Sequence, residues 1–354
     1  MNPSPTNPSL DETHTDQAAD NGYSQLTPDT VLEALDAVGL RGDGRILQLN
    51  SYENRVFRLM LEDGGAMVAK FYRPGRWSDA QIHEEHDFAL ELTEAEVAVM
   101  PPLRLQLLPP GPAHAMISGP GATLLHWPLP TGGTHRISVS PWLGGRDPDI
   151  ESAEAFERLG RLIGRVHAVG AARPFKHRLT LSPSLGLQAI DTLLALQVVD
   201  PALAPRWESA ARKAVDGVVR AFERAGGSAI RLHGDAHRGN LLERDETLHL
   251  VDLDDACNGP PMQDLWLFLD GQEGEDRQRQ LHALLRGYED FMDFDDAQLA
   301  LIEPLRTLRL LRHSAWIAQR WNDPAFPIAF PGFGSPNHWA DQTVQLQEQA
   351  DRMG

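Results

Sequence analysis

The chain has 354 residues, enough for two lobes that each bury a core. Its 50 acidic against 32 basic residues argue against nucleic acid or an anionic membrane as partner, and leave a cationic ligand open. A single cysteine, Cys257, excludes an internal disulfide framework and fits a reducing cytoplasm.

Residues 1–25 are polar and proline-bearing, without the basic and apolar regions of a signal peptide, and are predicted to form a disordered acidic tail. A helix follows: Thr27 caps it, Pro28 takes its first position, and Val31, Leu32, Leu35 and Val38 form its apolar stripe up to Gly39. Strands are predicted over 45–49, 55–61 and 66–72, the last two joined by the turn signal Glu62-Asp63-Gly64-Gly65. A helix over 79–92 opens at Ser78 and Asp79, and further strands lie in 97–118 and 122–142. Residues 105–135 carry no charge, but Pro109, Pro110, Pro112, Pro120, Pro128 and Pro130 forbid a continuous membrane helix. They are predicted to be a Pro/Gly-rich insertion of loops and strands.

Past Gly145 the pattern turns helical. Phe156, Leu159, Leu162, Ile163 and Val166 recur at helical spacing over 152–169, and another helix spans 206–225. Short strands at 229–232, 240–243 and 248–251 precede helices over 263–270, 276–292 and 296–321. The fold class is α+β and bilobal. Residues 26–142 form a small lobe with an antiparallel sheet and one helix, and 143–354 a mainly helical lobe, with a hinge at 142–146.

Chemistry concentrates in one stretch. His233-Gly234-Asp235-Ala236-His237-Arg238-Gly239-Asn240 fits the frame His-x-Asp-x-x-x-x-Asn of a protein-kinase catalytic loop. Asp235 would accept a hydrogen bond from the attacking hydroxyl. Asn240, and Asp252 at the end of an apolar strand, offer the oxygen ligands that magnesium requires. His237 stands where protein kinases carry a lysine that reaches the γ-phosphoryl group. His233 holds loop backbone, Asp264 braces the loop from the next helix, and Asp254 and Asp255 take outer or surface roles. In the small lobe, Lys70 ends a strand where the α- and β-phosphates of ATP are contacted, with Glu85, in preference to Glu84, as its carboxylate partner. The phosphate-covering turn Asn50-Ser51-Tyr52-Glu53-Asn54-Arg55 has no glycine, so Asn50, Ser51 and Asn54 either stabilise it or donate to phosphate.

Gly234 after the histidine and His237 past the aspartate resemble the aminoglycoside phosphotransferase/choline kinase-like superfamily. Closer blocks are Asn50 to Phe57, Lys70-Phe71-Tyr72-Arg73-Pro74, Glu84-Glu85-His86, Val251 to Ala256, Gln263-Asp264-Leu265-Trp266, Ile302 to Arg306 and Asp323 to Pro327. On these the chain, from about Leu26 onward, resembles the bacterial stress response kinase A family. The resemblance implies a cytoplasmic Ser/Thr protein kinase that uses magnesium and ATP, phosphorylates protein substrates and itself, and acts in stress survival. The tail and the 105–135 insertion look added relative to that family. No nucleic acid or membrane partner is expected, and the chain is expected to be a monomer.

Other readings compete. His233, Asp235 and His237 resemble a metal-hydrolase cluster but leave Asn240 and Asp252 unused. His83-Glu84-Glu85-His86 spaces its histidines three apart, not the four of a zincin. A small-molecule kinase acting on an amino alcohol or aminoglycoside would use the same catalytic parts. Acidic residues across 263–296, among them Glu273, Glu275, Asp276, Glu289 and Asp290, would either recruit a cation or form a solvated face. A nucleotide-binding pseudokinase scaffold is the reading from a different class. Trp316, Trp321 and the leucines at 301, 305, 308 and 311 are expected to be core.

Overall fold

The computed structural model describes residues 23, 25–130, 132–227, 229–269 and 274–354, so the predicted tail lies outside it except for Tyr23 and Gln25. Tyr23 is not tail-like: it is buried in the small-lobe core, and its hydroxyl donates to Phe71 O at 3.1 Å. Its apolar ring finds a packing site that the surrounding polar residues gave no reason to expect.

Thr27 Oγ1 accepts from Thr30 N–H at 3.2 Å and opens α1 (Pro28–Asp36), whose Val31 and Leu35 are buried. The chain then runs through β1 (Gly42–Leu49), β2 (Arg55–Leu61) and β3 (Ala66–Phe71). Helix α2 (Asp79–Glu94) follows, started by a capping box between Ser78 and Gln81. The uncharged stretch supplies β4 (Met116–Ser118) and β5 (Leu124–Pro128), and β6 (Thr134–Pro141) comes last. All six strands form one antiparallel sheet in the order β1-β2-β3-β6-β5-β4. The stretch therefore forms the far edge of the sheet. After β6 the chain crosses to the helical lobe, and Arg146 exchanges backbone hydrogen bonds of 3.1 and 2.8 Å with Glu243.

The large lobe comprises α3 (Ala153–Gly170), α4 (Ser184–Ala195), α5 (Ala204–Ala225), β7 (Ile230–Leu232), β8 (Leu241–Arg244), β9 (Thr247–Leu250) and β10 (Cys257–Gly259). It continues with α6 (Gln263–Trp266), α7 (Glu275–Tyr288), α8 (Ile302–Gln319), α9 (Ala325–Ala329) and α10 (Pro336–Arg352). Among the described residues no helix is long and apolar enough to cross a membrane. Helices α3 and α7 cross with backbones in near contact. A Cβ on Gly160 would lie 2.0 Å from Leu284 O, and one on Gly287 2.0 Å from Glu157 O. Only glycine fits either position.

Several predicted elements change. The helix expected over 296–321 begins as a 3-10 turn, Asp296–Leu301, and becomes α-helical only at Ile302. Pro304 lacks an N–H and its ring crowds the carbonyl four residues back, so an α-helix can hold it only in its first turn. The helix expected over 263–270 ends at Trp266. Helices α4, α9 and α10 and strand β10 were not foreseen. In α10 the apolar stripe is reduced to Trp339, Leu346 and a few small residues, with buried Gln342 and Gln349 replacing the usual hydrophobics.

His86 on α2 is buried, with its ring nitrogens 2.8 Å from Tyr72 Oη and 2.8 Å from Thr123 Oγ1. Burial, then the nearby Lys70 charge, holds its pKa down at about 3. An unfolded histidine takes its proton near pH 6.5, so this contribution is complete above that pH and fades as pH falls toward 3. At pH 5 the loss should be about 2 kcal/mol. Urea unfolding at pH 7.5 and pH 5 checks it: His86→Gln should show a smaller loss between the two pH values than the parent, and an equal loss would assign the sensitivity elsewhere.

Candidate active site

Strand β3 delivers Lys70 into the cleft between the lobes, and α2 brings Glu85 to it at 3.0 Å. Lys70 Nζ also lies 3.2 Å from Asp254 and 3.5 Å from Asp252. Burial opposes its charge, but the Asp254 and Glu85 carboxylates outweigh that and hold the ammonium well above its ordinary range. Burial conversely raises the Glu85 carboxyl despite Lys70. Glu84 points elsewhere, accepting from the backbone N–H groups of Lys176, His177 and Arg178 at 2.7, 2.9 and 3.0 Å.

The loop between β7 and β8 carries Asp235, His237 and Asn240. Gly234 turns it with φ of +86°, and a Cβ there would lie 2.1 Å from Asp255 O. Asp264, fully buried on α6, accepts from the N–H of His233 at 2.7 Å and of Gly234 at 2.8 Å, and from His167 Nε2 at 3.2 Å. His233 is also committed: its Nε2 lies 2.8 Å from Val251 O, and its Nδ1 accepts from Asp235 N–H at 3.3 Å. With both ring nitrogens engaged it has none for a metal, which removes the hydrolase-cluster arrangement.

Asp235 Oδ1 takes a very close contact from Arg309, and its Oδ2 is 3.3 Å from His237 Nε2. Burial alone would raise this carboxyl, but the His237 hydrogen bond and the Arg309 guanidinium outweigh it and hold it well below the usual carboxylate range. Asn240 Nδ2 donates to Asp235 O at 3.0 Å, which leaves its amide oxygen as the ligand atom. Asp252 follows β9 in a left-handed conformation, φ +64°, with its side chain more than half exposed to the cleft. Among the described residues no cluster of three or more His, Cys, Asp or Glu could hold a metal by itself. One carboxylate and one amide oxygen fit a magnesium that takes its other ligands from substrate phosphates and water.

One predicted role changes here. Asp254 is not a surface residue: it is buried, pairs with Lys70 at 3.2 Å and Arg76 at 3.1 Å, and is held strongly ionised by those cations against its burial. Of the two roles open to Asn54 the structure favours bracing the turn: it is buried away from the cleft, its Oδ1 accepting from Arg73 N–H at 3.1 Å. Asn50 and Ser51 do line the cleft. Asp255 pairs with Arg76 at 2.5 Å. Of the acidic residues in 263–296, Asp270 and Glu273 lie outside the described residues, and none of the described ones lines the cleft. Cys257 is buried, which pushes its thiol up to about 12.

Sequence reasoning missed several residues. Arg178 is buried, donates to Ala256 O at 2.6 Å and sits 3.3 Å from Glu85. Glu53 substitutes charge for the missing glycines of the phosphate turn, binding Arg73 at 3.0 Å, Arg76 at 2.9 Å and Arg320 at 2.7 Å. Trp316 Nε1 also donates to Glu53, so this tryptophan, which packs against the core as expected, lines the cleft as well. Arg309 and Arg312 on α8 line the same cleft, which has a volume of ≈ 1160 Å³. These partners are far apart in the chain, and no local motif announces them.

Residues 45–302 match the model of the phosphotransferase enzyme family, APH. The chain is 41% identical over 331 residues to Stress response kinase A of Salmonella choleraesuis, covering 92% of this chain and 93% of that protein. It is equally similar, 41% over 331 residues with the same coverage, to the Serine/threonine protein kinase RdoA of Salmonella typhimurium. Among solved structures, amicoumacin kinase hAmiN in complex with AMP-PNP, Ca2+ and Ami superposes with a TM-score of 0.69 at 18% identity, over 91% of this chain and 92% of that one. At that identity the likeness speaks for a shared kinase-like fold.

Proposed function

The chain belongs to the phosphotransferase enzyme family, and on that premise we propose that it is a cytoplasmic Ser/Thr protein kinase of stress response. In this reading it uses ATP and magnesium and phosphorylates protein substrates and itself as a monomer. The observation that carries the reading is the convergence of Lys70, Glu85, Asp235, Asn240 and Asp252 on one cleft. Lys70, fixed by Glu85, binds the α- and β-phosphates. Asn240 and Asp252 would hold magnesium, which when bound neutralises charge on the phosphate oxygens.

Asp235 orients the acceptor hydroxyl toward the γ-phosphorus and takes its hydrogen bond as the new O–P bond forms. Because its carboxyl is held so acidic, its main work is orientation, with the proton leaving late in the reaction. His237, expected from its position to donate to the γ-phosphoryl oxygens, is instead committed within the loop, its Nδ1 accepting from Gly239 N–H at 3.0 Å and its Nε2 3.3 Å from Asp235, so it would reach phosphate only by releasing Asp235. Asn50 and Ser51 cover the phosphates from the turn that Glu53 and Asn54 brace.

The choice of a protein acceptor draws on the relative named as a Ser/Thr protein kinase. Transfer of label from γ-labelled ATP with magnesium tests it, with a generic protein and the chain itself as acceptors beside a panel of amino alcohols and aminoglycosides. Label on protein Ser or Thr is the expected result. Label confined to a small molecule would overturn the protein-kinase reading and leave the phosphotransferase standing.

A further inference from the structure

Helix α8 lays cationic side chains along one wall of the cleft. Arg309, Arg312 and, two turns on, Arg320 all line it, in a chain whose formal net charge is −18. Arg309 and Arg312 are three residues apart and so share one helix face, with Cβ atoms about 5–6 Å apart. Carboxylates line the cleft too, and they account for the other Lys and Arg side chains there. Glu53 binds Arg76 at 2.9 Å and Arg320 at 2.7 Å, Asp255 also binds Arg76, and Glu85 binds Lys70 at 3.0 Å. Arg309 holds Asp235. Arg312 makes no ion pair and no side-chain hydrogen bond with any described residue.

Asp235 therefore carries a cationic or ring donor on each oxygen before an acceptor arrives, Arg309 on Oδ1 and His237 on Oδ2. An acceptor hydroxyl has to share one of those oxygens and so draws on the charge that Arg309 and His237 hold. Drawing Arg309 away from Asp235 leaves two arginines on one helix face, three residues apart, with no carboxylate of the described residues paired to either. A neutral acceptor does nothing for that pair, and a cationic one adds repulsion. An acceptor bearing a carboxylate or phosphate beside its hydroxyl supplies the missing charge in the geometry a guanidinium fork prefers.

We propose that this cleft selects a hydroxyl flanked by an anionic group, with Arg312 as the anion's fixed contact and Arg309 exchanging Asp235 for that anion as the hydroxyl docks. The inference rests on the phosphotransferase reading above and names the acceptor class of the same site. Trp316 and Phe330, also on the cleft wall, give the rest of the acceptor an apolar bed.

Calorimetry on the full chain, saturated with magnesium and a non-hydrolysable ATP analogue, tests the inference without needing turnover. The ligands are three peptides that carry Ala at the acceptor position and are flanked by Glu, Gln or Lys. A hydroxy acid, a neutral diol and an amino alcohol repeat the charge series in small molecules. The Glu peptide should bind at least tenfold tighter than the Gln peptide, and the Lys peptide should be weakest. The same order in the small molecules alone would support the rule with a metabolite as the source of the anion. Arg312→Gln should bring the Glu and Gln ligands within about twofold of each other, while Arg312→Lys keeps most of the preference. Charge-blind affinities, no detectable binding in either series, or a preference that survives Arg312→Gln would overturn the proposal. ATP hydrolysis by the same preparation, and its loss in Asp235→Asn, reports separately on the phosphotransferase reading. Hydrolysis with charge-blind binding sinks only the acceptor rule, whereas no hydrolysis and no transfer sinks the reading beneath it.

Discussion

Asp235→Asn is expected to lower phosphoryl transfer by about 10³-fold while nucleotide affinity changes little. The substitution keeps the shape of the side chain and removes the charge that accepts the hydroxyl proton. The loop should survive, because Asn240 bonds to the backbone oxygen of residue 235, not to its carboxylate. Arg309 and His237 both lose an ionic partner, but the Arg309 side chain is 41% exposed and can turn to solvent. The comparison is kcat from labelled ATP against the Kd of a fluorescent ATP analogue. Unchanged kcat would remove Asp235 from the chemistry. A parallel loss of nucleotide binding would point to a damaged lobe, and a signalling role that persists without transfer would favour a scaffold.

Asp264→Ala is expected to cost about 3–5 kcal/mol of stability and to abolish transfer as well. Three donors converge on this buried carboxylate: the N–H groups of His233 and Gly234, and His167 Nε2. Alanine strands all three where water has little access, and each buried unsatisfied donor costs about 1–3 kcal/mol. Asp264→Asn retains one acceptor oxygen but aims an amide N–H at another donor, so its loss should fall between parent and alanine. Urea midpoints for the three proteins give the ranking. A loss under about 1 kcal/mol for alanine would mean that water replaces the carboxylate and that the loop is held mainly by Gly234 and His233.

What could be read directly from the chain was the chemistry that lies close together along it. Asp235, Asn240 and Asp252 fall within one strand–loop–strand stretch, and Lys70 and Glu85 are separated by a single turn into a helix. Short loops leave such residues few ways to arrange themselves, so spacing nearly dictates geometry. The small lobe was legible for the same reason, since its strands alternate with strong turn signals and pair mostly with near neighbours. Elements that lack a clean apolar stripe, such as the Gln-rich α10, escaped detection because their burial depends on partners and not on their own pattern.

Tertiary structure decided the electrostatics. Arg309 reaches Asp235 across 74 residues, and Trp316 reaches Glu53 across 263. Nothing in the local sequence separates an arginine that will face a cleft carboxylate from one on a solvated helix face. Asn54 stood open between bracing the turn and donating to phosphate until Arg73 claimed its oxygen, and Asp254 could have been a surface residue until Lys70 and Arg76 were packed against it. A side chain's composition sets what it can bond, but the packing of α8 and the phosphate turn over the cleft sets which partner it meets. The frame of the motif is local and so is written in the chain, whereas the ionisation of its carboxylates depends on charges brought together only by folding.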